Sequence, residues 1–124
     1  MITKTIEIDG RQVTFKASAA VPRLYRFKFR RDILQDLKKL QKAAEKTKKG
    51  EEFEAIDLEL FENVAYIMAQ HADPENVPNT AEEWLVEFDV FSIYEILPEI
   101  LELWGLNLET QVESKKKLAR VVGK

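Results

Sequence analysis

Few side chains in this sequence belong to types that make or break bonds. His71 is the only histidine. At helical spacing it falls in line with Phe53, Val64 and Ile67, where a hydrogen-bonded core or helix-end imidazole is expected in preference to a proton-transfer group or metal ligand. Ser18 and Ser92 stand where helix caps belong, and Ser114 lies in a basic stretch. With no cysteine, thiolate nucleophiles, disulfides and thiolate zinc sites are excluded. Four scattered glycines build no phosphate loop. Glu95, Glu99 and Glu102 share a helix face and could hold a cation or act as a carboxylate pair. A solvated helix face has the same spacing, and no histidine joins them. No catalytic residue, metal ligand or cofactor is therefore expected, and the chain is expected to be non-enzymatic and to act by binding.

The stretch with the most binding chemistry is RLYRFKFRR, residues 23–31, five basic residues interleaved with Tyr25, Phe27 and Phe29. A single-strand nucleic-acid binder uses such interleaving. On a helix, however, these aromatics point in different directions, and the acidic remainder of the chain repels phosphates. Arg23, Arg26 and Arg30 fall within about 60° of one another at 100° per residue. They form a stripe suited to a protein partner or to internal pairing.

The elements that must position this stripe are legible from periodicity. Asp9-Gly10 is a type I′ turn dipeptide, since both central residues need positive φ. A hairpin over 2–16 then sets Ile6 opposite Val13, with Ile8 and Phe15 on the same face and Thr3, Thr5, Glu7, Gln12, Thr14 and Lys16 on the other. A lone hairpin is marginal in water, so it must pack on helices or pair with another chain. A long helix is expected over 19–47, capped by Ser18 with Pro22 in its first turn. Its second half carries a stripe of Ile33, Leu34, Leu37, Leu40 and Ala44, whereas Val21, Leu24 and Phe27 sit on a rotated face. A second helix is expected over 53–70, with Phe53, Ile56, Leu60, Val64, Ile67 and Met68 inward. Thr80-x-x-Glu83 and Ser92-x-x-Glu95 read as capping boxes for helices over 80–89 and 92–104. Pro98 should kink the last of these by releasing the carbonyl of Tyr94, and Gly105 should stop it. The fold class is thus α+β, mostly helical: a hairpin and about four helices in one domain over 1–105, then a flexible basic tail over 106–124.

Composition supports a globular chain, with 45% hydrophobic residues in 124. The opening MITKTIEIDG lacks the apolar run of a signal peptide, and no stretch approaches the ~20 apolar residues of a membrane span. No membrane association is expected. The net charge of −3 conceals a division. Residues 1–50 hold 14 Lys/Arg against 5 Asp/Glu, residues 51–113 hold 17 acids and no Lys or Arg, and the last eleven residues carry +5. Either the halves attract each other, or each presents one sign to a partner.

Several stretches together resemble the tail assembly chaperones of long-tailed phages and prophages of Gram-positive bacteria: IEIDGRQVTFKASAAVPRLYRFKFRRDI, DLELFENVAYIMAQHADP, FDVFSIYEILPEILELW and LNLETQVESKKK. The resemblance runs in order over nearly the whole chain, and its weight comes from the combination. It implies a protein of the host cytoplasm, absent from the mature virion, that binds the tape-measure protein, keeps it soluble and helps tail-tube subunits polymerise around it. It also implies two product lengths, the longer made by ribosomal frameshifting. Lys115, Lys116 and Lys117 could mark an A-rich slippery stretch, or simply a basic tail. A holding protein of this kind needs apolar surface, charge, and a face for self-association into an oligomer or open filament. The expected partner-binding residues are Arg23, Arg26, Phe27 and Arg30 on the helix and Ile6 and Val13 on the hairpin. The alternative is a small nucleic-acid-binding regulator using residues 23–31.

Overall fold

The structure is a computed structural model that describes residues 2–106. The expected tail over 106–124, with Lys115–Lys117, lies outside the described residues except for Leu106. Helix accounts for 56% and strand for 13% of the described residues, an α+β and mostly helical fold. Strands β1 (Ile2–Ile8) and β2 (Arg11–Ala17) are followed by helices α1 (Val21–Phe29), α2 (Ile33–Lys48), α3 (Ala55–Ala72), α4 (Ala81–Leu85) and α5 (Ile93–Leu103).

The hairpin turns as its dipeptide requires, Asp9 and Gly10 having φ of 52° and 78°. The register pairs Ile6 with Val13, Lys4 with Phe15 and Ile8 with Arg11. Ile8, Val13 and Phe15 enter the core. β2 packs on α3 and β1 on α5, which covers the apolar face of an otherwise marginal two-stranded sheet. Lys4 and Arg11 share that face at its ends and turn outward to acids, as described below.

α3 is the central element. Eight of its residues, Leu60, Phe61 and the run Val64–Ala69, are buried, so it is enclosed nearly all round by β2, α1, α2, α4 and α5. It begins at Ala55, later than expected, because Glu54 and Asp57 form a reciprocal capping box. Ile56, expected inward, is exposed: its first turn borders an open groove of about 300 Å³ along α2, lined by Lys39, Lys42 and Lys46 on one side and by Glu51, Glu52 and Asp57 on the other.

The single helix expected over 19–47 is two helices. The chain leaves α1 through Arg30, whose φ of 59° and ψ of 36° are left-handed, and enters α2 through Asp32, whose side chain accepts the Leu34 N–H at 2.9 Å. α1 buries Val21 and Tyr25 while Leu24 and Phe27 of its rotated face stay exposed, and α2 buries Ile33, Leu37, Leu40 and Ala44 along a different axis, leaving Leu34 exposed. Ser18 does not cap α1. Ala20 holds the N-cap position, and Ser18 Oγ accepts from the Ala20 N–H at 3.3 Å and meets His71 Nε2 at 2.8 Å.

Thr80 does cap α4, its Oγ1 accepting the Glu83 N–H at 3.1 Å, but the helix runs only to Leu85. Ser92 precedes α5 without a side-chain cap bond, so the box expected there is not made. Pro98 lies inside α5, which continues to Leu103. Gly105, at φ 73°, ends it with the Leu106 N–H bonded to the Leu101 carbonyl and its own N–H to that of Glu102. That is the left-handed closure a glycine permits without steric cost.

Candidate functional site

The basic stretch is divided by one buried carboxylate. Asp36, 1% exposed, accepts the Tyr25 hydroxyl at 2.7 Å and the Nε and Nη2 of Arg31 at 2.8 Å each. Burial alone would raise the Asp36 pKa, but the bonds from Arg31 and Tyr25 together outweigh it and hold the carboxyl below its ordinary value. Burial first, and the hydrogen bond to Asp36 second, push the Tyr25 phenol far above its ordinary value, so it stays a donor. The trio ties α1 to the start of α2 and uses Tyr25 and Arg31 internally. Lys28 is also engaged, donating to the Asn79 carbonyl at 2.6 Å with its ammonium 5.5 Å from the centre of the Tyr66 ring.

What remains faces solvent. Arg23, Arg26, Phe27 and Arg30 line an open surface groove of about 400 Å³. Phe27 is 76% exposed, with the Arg30 guanidinium 5.9 Å from its ring centre. None of the three arginines has an ion-pair partner among the described residues. The structure thus brings together four of the six residues expected to bind a partner. The other two it turns inward. Val13 is buried and Ile6 half-buried, because the face that carries them covers α3 and α5.

Both readings of the charge division apply, to different residues. Lys4 bonds Glu99 and lies 3.6 Å from Glu102, and Arg11 lies 3.1 Å from Glu87, so two hairpin cations join the acidic half. The Glu99 bond, foremost among the influences, raises the Lys4 pKa. Glu99 and Glu102 therefore turn to the hairpin, and no group of three His, Asp or Glu among the described residues is placed to hold a metal ion. His71 ends α3 half-buried against Ser18; burial first, and Lys16 second, lower its pKa, which suits a neutral imidazole accepting the serine hydroxyl. No helix among the described residues is long and apolar enough to cross a membrane.

One surface escaped the sequence reading. Tyr94, 65% exposed at the start of α5, rests against Phe53 with ring centres 5.3 Å apart. Exposed Glu51 and Glu52 precede Phe53, and exposed Glu95 follows Tyr94. Only the acids adjoining both aromatics in the sequence could have signalled it. Comparisons of the chain with protein-family models, curated proteins and solved structures found no match.

Proposed function

We propose that this chain is a phage tail assembly chaperone, in its short form. It is a non-enzymatic holding protein that binds the tape-measure protein through the α1 groove and promotes tail-tube assembly around it. The reading is supported by the sequence resemblance and by one structural observation: three arginines without an ion-pair partner among the described residues surround an exposed phenylalanine on a helix anchored to the core. Guanidinium groups pair with carboxylates bidentately and stack on rings, while Phe27 supplies apolar area, the combination a helical protein client with acidic and apolar residues requires.

The nucleic-acid reading depends on Tyr25, Phe27 and Phe29 acting together as stacking platforms. Tyr25 is in the core and Phe29 is half-buried against it, leaving Phe27 alone. Co-expression with a tape-measure protein distinguishes the two. Native chain is expected to retain the client in salt that strips nucleic acid, and Arg23→Glu with Arg26→Glu is expected to lose it. Retention undiminished by that reversal would refute the groove's role. Salt-sensitive retention of DNA or RNA, without client capture, would favour the regulator. In the surrounding DNA, the chaperone reading calls for an overlapping frame at codons 115–117 followed by a very long helical reading frame.

A further inference from the structure

A two-stranded sheet has two free edges, and the edge of β2 faces a groove. In a hairpin closed by a two-residue turn, the flanking pair Ile8 and Arg11 exchanges backbone hydrogen bonds. So does every second pair from there, Ile6 with Val13 and Lys4 with Phe15. The N–H and C=O groups of Gln12 and Thr14 therefore point away from β1, and they meet no partner among the described residues. A groove of about 270 Å³ lies along this stretch, bordered by Gln12, Val13 and Thr14 but by no residue of β1. Across it stand Ala69 and Ala72 at the end of α3 and Val77 in the loop beyond. Asp73 also borders it. Its carboxylate accepts the Asn76 amide at 3.1 Å and has no ion-pair partner among the described residues, whereas Arg11 and Glu87 on the same rim pair with each other.

We propose that this groove takes an extended segment of a partner protein, which adds to β2 as a third strand. Main-chain bonds to Gln12 and Thr14 supply the attachment, as they do wherever a strand joins an open sheet edge. They pair donors and acceptors that a two-stranded sheet leaves to water. In a strand about 4.8 Å from β2, alternate side chains project to opposite faces. Those on the α3 side meet Ala69, Ala72 and Val77, and a compact, β-branched residue suits that wall. A Lys or Arg of the segment meets Asp73 as a charge-assisted pair. Proline is excluded wherever its missing N–H should bond to β2. The occupant is thus a strand-forming segment that carries a basic residue. The groove shares no lining residue with the one on α1, so the inference stands whether or not the client is a tape-measure protein.

Amide hydrogen exchange of the full chain, read by NMR, tests it, with the acetylated and amidated peptide Lys-Val-Thr-Val-Thr-Lys as probe. In the chain alone the Gln12 and Thr14 amides are expected to exchange freely, while those of Val13 and Phe15, bonded to β1, are protected. The saturating probe is expected to slow Gln12 and Thr14 about tenfold or more. Thr14→Pro removes the outward N–H without touching a bond to β1, and is expected to weaken probe binding about tenfold or more, whereas Thr14→Val retains it. Ala72→Arg fills the groove and leaves the ladder alone, so the same loss is expected there even if the proline variant fails a circular dichroism melt. Asp73→Lys is expected to reverse the preference, towards the same peptide with Glu at both ends. Gln12 and Thr14 amides already protected in the chain alone would overturn the proposal, because a second copy or residues 107–124 would then hold the edge. So would saturation by the probe without slowing of these amides, no binding of it at millimolar concentration, or binding indifferent to Ala72→Arg.

Discussion

Replacing Asp36 by Asn tests whether the buried trio holds α1 to α2. Severing a fully buried ion pair costs about 3–5 kcal/mol, because a charge is left dry. Here the Arg31 side chain is 39% exposed and rehydrates once released, and the asparagine oxygen still accepts the Tyr25 hydroxyl. The expected loss is therefore smaller, about 2 kcal/mol. For a urea dependence of about 2 kcal/mol per M, the unfolding midpoint falls by about 1 M at neutral pH. The pH dependence adds a signature. A carboxyl whose folded pKa is lowered contributes its stability fully above the ordinary value of 3.8 and loses it as pH falls through the lower folded value. The gap between native and variant midpoints is thus expected to be widest near neutrality and to close in acid below that value. Urea titrations followed by circular dichroism at several pH values read both effects. A neutral-pH shift below about 0.3 M, or a gap that does not narrow in acid, would refute the assignment of Asp36 as the charged centre of this junction.

Tyr25→Phe leaves Asp36 its two bonds from Arg31 and is expected to cost less, about 1–1.5 kcal/mol, with non-additivity in a double-mutant cycle with Asp36→Asn. Arg30→Gly relieves a left-handed residue at the end of α1 and is expected to stabilise the fold by about 0.5–1 kcal/mol, seen as a higher Tm, while removing one groove cation and weakening partner capture. His71→Gln is expected to flatten the stability profile just below pH 6.5. The native imidazole is harder to protonate folded than unfolded, so native stability falls as pH drops from that ordinary value towards the lower folded one, which chemical denaturation across pH 5–7 measures. Phe15→Ala empties a fully buried site between hairpin and helices and is expected to cost about 3–5 kcal/mol, enough to unfold a marginal domain in a thermal melt.

Local signals carried the hairpin, the caps at Thr80 and Gly105, and the buried stripe of Ile93, Ile96, Leu97 and Ile100, because each is fixed by residues within a turn or two. The break between α1 and α2 was written more faintly. No glycine or proline marks it, and Arg30 adopts a conformation unusual for its type. The signs were Asp32 as an N-cap and the displaced apolar faces, and they become a break only once Asp36 draws in Tyr25 and Arg31. Ser18 was read as a cap on local grounds; His71, 53 residues away, claims its hydroxyl instead. The arginine stripe was legible because exposure follows helix phase. The Phe53–Tyr94 ring contact was not, since its two residues stand 41 positions apart in the sequence.

The pairing of Lys4 with Glu99 spans 95 residues of chain. At roughly 5–20 residues per second of synthesis, the hairpin is made some 5–20 s before the helix that covers β1. Over that interval α3 arrives first and shelters Phe15 and Val13, while the β1 side of the ribbon waits. A nascent chain stalled between the two helices therefore shows a half-clothed sheet, the state in which illegitimate strand pairing is easiest.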